Sequence, residues 1–138
     1  MTRYLWMLAA VYFIATAAHF GHNAEYIAFY PGMPAWLTRE KVYVAWLGVT
    51  SIGLVALVLF GVGVRAIGLA MLGAYGACGL DGLLHYTLGL CSEHTLLANV
   101  TIWSEAVTGV LLLICSVLVL ARRVDHGFPI ARARARRE

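Results

Sequence analysis

Long apolar runs, without any alternation of polar and apolar positions, organise this chain. They cover about residues 4–20, 42–62, 66–90 and 95–120. A segment that crosses a ~30 Å hydrocarbon core as an α-helix needs ~20 largely apolar residues, and all four runs are of that order. A membrane β-barrel would instead show ~10-residue stretches of alternating polarity. The pattern therefore predicts an all-α, four-helix transmembrane bundle over residues 1–124, followed by a basic tail over 125–138.

The links between the runs differ. The first is long and carries Pro31-Gly32 and Pro34, which interrupt any helix there. The second, around Gly61, Gly63 and Arg65, and the third, near Cys91 and His94, are short, so neighbouring helices should be antiparallel. Gly73, Gly76, Gly79 and Gly82 recur at every third residue of the third run. Small residues let helix backbones approach closely in lipid. The simple expectation is tight packing; the sharper one is a helix thinned to make room for a ligand.

Composition agrees with membrane insertion. The chain is 62% hydrophobic and 12% charged, with a mean hydropathy of +0.81. Soluble domains carry roughly 25% charged residues. Eight of the ten basic residues lie at the N-terminus, the second link or the C-terminal tail, and only Arg39 and Lys41 lie in the other links. The positive-inside rule then puts both termini in the cytoplasm, and the expected location is a bacterial cytoplasmic membrane. Arg3, the apolar run after it and Ala15-Thr16-Ala17 mimic a signal peptide, but the segment is read as a retained membrane helix. The arginines at 132, 134, 136 and 137 should lie against anionic headgroups, so the bilayer and not nucleic acid is the expected partner. Other membrane subunits or further copies of the chain are the remaining partner expectations. Cys78, Cys91 and Cys115 show no metal-ligand or disulfide spacing.

Ionisable groups inside a membrane are costly and usually functional. The second run has none between Lys41 and Arg65, whereas the other three bring His19, His22, Glu25, Asp81, His85, Asn99 and Glu105, with Glu93 and His94 just before the last run. At ~1.5 Å per residue, His19 lies ~24 Å from the inner face and Glu105 ~15 Å below the outer one. Asp81 and His85, four apart, would share a helix face. The expectation is a polar pocket in the outer half of the bilayer. Glu105, without a basic neighbour in its own helix, should be protonated or paired with a histidine.

Four functions fit such a pocket. The leading one is a metal or haem site with a redox or metal-dependent role. His19, His22, Asp81 and His85 would then be ligands for Fe, Cu or Zn, or His19 and His85 would hold a haem. His85 and Glu105 are the candidate catalytic acid–base groups, and Glu25, His94 and Asn99 form the rim. The alternatives are an enzyme or binding protein for a lipid-like molecule, a path for protons or small solutes, and an accessory subunit of a larger membrane complex. Asp81 and His85 could equally be no more than a neutralised structural pair.

The stretch LVLFGVGVRAIGLAMLGAYGACGLDGLLHY, residues 57–86, resembles the second hairpin of small DoxX-like membrane proteins. Pro34-Ala35-Trp36 before the second run, with Asn99 and Trp103 in the last, is similar to the layout of the EXPERA group of sterol-handling proteins. The first resemblance implies a redox-associated subunit, the second a sterol-type ligand. The acid that the EXPERA pattern places in the second helix is missing, so no residue role is carried over.

Overall fold

The computed structural model describes residues 2–127, with side chains placed for residues 3–123. The basic tail expected over 125–138 therefore lies largely outside the described residues. The chain is all-helical. Helix α1 spans Thr2–Glu25, α2 Arg39–Gly61, α3 Arg65–Ala77, α4 His85–Leu88 and α5 Leu96–Gly127. A 3₁₀ segment, Cys78–Leu84, joins α3 to α4, so that these three make one continuous span. Four segments are long and apolar enough to cross a membrane: Arg3–Glu25, Arg39–Gly61, Arg65–Leu88 and Leu96–Arg123.

Local chemistry sets the ends. Thr38 caps α2, its Oγ1 accepting from the Lys41 amide at 3.4 Å. Gly63, at φ +83°, turns the chain between α2 and α3. Helix α1 runs five residues past the expected end at 20. Gly21 lowers helix propensity without breaking the ladder, and Tyr26 N still donates to His22 O at 3.0 Å. That extension puts His22, Asn23 and Glu25 on the helix. Helix α5 likewise outruns its expected end at 120. Its 32 residues correspond to about 48 Å.

The four spans form a ring in which α1 packs on α2 and α5, and the third span packs on α2 and α5. The third span meets α5 most extensively, and glycine explains why. A Cβ on Gly76 would lie 2.6 Å from Gly109 O, and one on Gly79 would lie 2.9 Å from Glu105 O. The two backbones touch with no side chain between them. Below this contact lies a core of Leu5, Tyr12, Ala56, Leu69, Leu72, Tyr75 and Leu112. Above it, at the loop end, Tyr30, Ala98 and Ile102 form a second one. The outer surface is largely apolar: Met7, Ile14, Val44, Leu54, Val58, Val107 and Leu118 are all more than half exposed. Contiguous apolar surface on this scale marks contact with an apolar surrounding.

Gly109→Val should force the third span off α5, because the new side chain meets the Gly76 carbonyl. Overpacking of this kind costs about 1–3 kcal/mol. Thermal unfolding in mild detergent should show a clearly lowered Tm, whereas Gly48→Val, at a position with open space, should leave it nearly unchanged.

Candidate functional site

Between the two apolar cores sits a buried polar cluster. Glu105, on α5, is 1% exposed, and His19, on α1, is 3% exposed. His19 Nε2 lies 3.5 Å from Glu105 Oε2, within ion-pair reach. Neither carboxyl oxygen completes a hydrogen bond, and His19 Nδ1 is also unpaired. Burying a charged carboxylate without a partner costs several kcal/mol, and the ionisable group that faces Glu105 is the His19 imidazole. Gly82 makes the space: a Cβ there would stand 3.1 Å from Glu105 Oε2 and 3.7 Å from His19 Nε2.

From this pair, rings lead towards the loops. His85 meets His19 edge to face, with centroids 5.2 Å apart. Asn23 Nδ2 donates to His85 Nε2 at 3.2 Å, which leaves the proton of a neutral His85 on Nδ1. Tyr30 lies over His85 at 4.9 Å and shares a 2.8 Å hydrogen bond with His22 Nδ1. Burial pushes the Tyr30 phenol up to about 12, so it stays protonated. His94 closes the group, its ring 6.2 Å from His85 and 6.0 Å from Tyr30. Its Nδ1–H donates to Leu90 O at 2.9 Å.

The loop that brings Tyr30 inward is held by close backbone contact. Gly32, at φ +70°, packs against the Leu88 carbonyl, where a Cβ would come within 2.6 Å. A side chain at this position would be both strained and obstructed. Gly89 receives Pro31 in the same way. Asn99 ties the other loop: it accepts from Tyr86 Oη at 2.8 Å and donates to Cys91 O at 3.0 Å.

Of the expected site residues, the structure brings together His19, His85, Glu105 and His94, with His22 joined through Tyr30. Asn99 sits at the rim, engaged in loop hydrogen bonds. Glu25 is elsewhere. It accepts from Arg39 at 2.7 Å and from Tyr43 at 2.7 Å, clamping α1 to α2 at the surface. Asp81 is exposed, on a different face from His85. The expected common face assumed α-helical winding, in which residues four apart differ by about 40°. In the 3₁₀ segment they differ by about 120°. The 3₁₀ period instead aligns Gly79, Gly82 and His85, all buried. The three-residue glycine repeat carried that signal. Tyr30 and Asn23 were not expected in the cluster. Asn23 stands one helical turn beyond His19, and that spacing could have identified it; nothing in the sequence marks Tyr30.

The proposed metal set does not converge. Among the described residues no group of three His, Cys, Asp or Glu side chains is placed to hold a metal ion. An acid, four imidazoles and a phenol, each able to hold a proton, stand between the bundle interior and the loops. Comparison with protein-family models, with curated proteins and with solved structures gives no match.

His19→Leu should destabilise the protein by about 1–3 kcal/mol, because it removes the polar group that faces Glu105. Asp81→Asn, at an exposed position, should stay within ±0.5 kcal/mol. Thermal or denaturant unfolding in one detergent compares the two directly.

Proposed function

We propose that this chain is a multi-pass integral membrane protein that carries out acid–base chemistry at the His19–Glu105 pair. The proton is exchanged with the loop face through His85, Tyr30 and His22. The observation that carries this reading is the pair itself: an imidazole and a carboxyl group 3.5 Å apart, both almost fully buried in an apolar bundle. Ionisable residues at such depth mark proton relays and substrate sites more often than structural ties.

The basic residues favour cytoplasmic termini, which makes the loop face the outer one. His22, at the loop end of α1, is part-buried and forms the outer terminus of the series. Beyond the pair towards the N-terminal half, Tyr12 and Tyr75 stack edge to face at 4.6 Å. General acid–base groups need hydrogen-bond reach to their reactant and a route for the proton. The series of rings supplies the route on one side, and the unpaired carboxyl oxygens of Glu105 supply the reactive end.

Infrared difference spectroscopy after a pH jump, on protein in lipid, tests this. A carboxylic C=O band should follow bulk pH in the native protein and vanish in Glu105→Gln. In His85→Leu/Tyr30→Phe, shown by its melting to be folded, the response should slow by at least about tenfold. Absence of a Glu105 band, or an undiminished rate in the double variant, would overturn the proposal.

A further inference from the structure

Glu105 is not the only acid within the apolar spans. Asp81 belongs to the span Arg65–Leu88, and it is exposed. Its neighbour fixes its depth. A Cβ on Gly82 would stand 3.1 Å from Glu105 Oε2 and 3.7 Å from Ile102, so Asp81 lies at the level of the buried pair and not at a helix end. At ~2.0 Å per residue through the 3₁₀ segment and ~1.5 Å through α4, it stands ~12 Å below Leu88. Long basic side chains can reach the headgroups from within a membrane, but an aspartate is too short to do so. Among the described residues Asp81 forms no hydrogen bond or ion pair. Ionisable groups in a span face the bundle interior or a water-filled cavity and are paired. Asp81 instead faces the apolar surround alone.

We propose that the outward side of the third span docks a transmembrane helix of another membrane protein, one that carries a lysine or arginine opposite Asp81. The surroundings of Asp81 suit a helix. Ile67, Ala70 and Ala74 are exposed below it and Leu84 and Leu88 above it, with Ala77 and Cys78 half-exposed between. Small residues at 70, 74 and 77 let a second backbone come close, as they do between helices in lipid. Beside them, Leu80, Leu83, Trp103 and Val107 line a shallow groove of about 210 Å³ between the third span and α5. That groove accommodates a large apolar side chain from the docked helix.

Charge selects the occupant. The chain has no lysine or arginine at residues 4–38, 42–64 or 66–121. His19, His85 and His94 are buried, and His22 is bonded to Tyr30. A second copy would therefore set acid against acid. A basic residue on a different helix neutralises the carboxylate, and the attraction is strong in a layer of low dielectric. This face does not depend on the His19–Glu105 pair, and its test reads association alone.

The probes are synthetic Leu/Ala helices of ~24 residues in phosphatidylcholine vesicles, with Lys, Glu or Leu at one position ~12 Å from an end. Energy transfer from each helix to a dye on the exposed Cys91 of the full chain reads association. The Lys helix should associate at least about tenfold more tightly than the other two. Asp81→Asn should lose that preference, and Ala74→Phe, at an exposed position of the same span, should weaken association of the Lys helix. Thermal melting of each variant confirms folding. Equal association of the three helices, or a preference that survives Asp81→Asn, would overturn the docking face. Displacement of the Lys helix by an equal concentration of dodecylammonium would assign Asp81 to a cationic amphiphile and overturn the helix as occupant. Energy transfer between labelled copies of the chain, lost in Asp81→Asn, would assign the face to a second copy and overturn it likewise.

Discussion

A carboxyl group held inside an apolar bundle is the constraint around which the rest of this molecule is arranged. Glu105 has almost no contact with solvent, and burying its charge alone would cost several kcal/mol, comparable to the whole stability of many domains. The fold answers by bringing His19 from another helix to 3.5 Å. That approach requires the third span to pass very close to α5, and only glycine at 76, 79, 82 and 109 leaves the space. The glycine stripe, the 3₁₀ winding that keeps it turned inward, and the pairing of His19 with Glu105 are thus parts of one arrangement.

The loops extend the same logic outward. Gly32 and Gly89 permit Pro31 and its neighbours to lie on the end of the third span, and this brings Tyr30 down onto His85. Without that fold-over, His85 would face the loop side with no lid. The same closeness that excludes solvent also places each ring within contact of the next. A site that exchanges protons but excludes bulk water needs both properties.

Much of this was legible in the sequence, for physical reasons. Four apolar runs of membrane length anticipated four helices long and apolar enough to cross a membrane, and three of the runs carry the His and acidic residues. Glu105, isolated in its own helix, was expected to be protonated or paired with a histidine, and His19 lies 3.5 Å from it. Two details were not legible. Asp81 was expected beside His85, because a single helical period was assumed through residues 78–84. Winding tightens there, and the glycine repeat of three was the overlooked sign. Tyr30 sits in a loop whose path depends on contacts between residues 31–32 and 88–89, which local pattern does not encode.

The most direct measurement is a double-mutant cycle on unfolding in lipid-like detergent, with His19→Gln, Glu105→Gln and the two combined. If the pair is the coupled acid–base centre described here, its interaction energy lies well above the ~0.5 kcal/mol scatter of independent sites, towards the 0.5–3 kcal/mol range of residues in direct contact. Additive effects of the two substitutions would contradict the account, because His19 and Glu105 would then be two separately buried groups and not one centre.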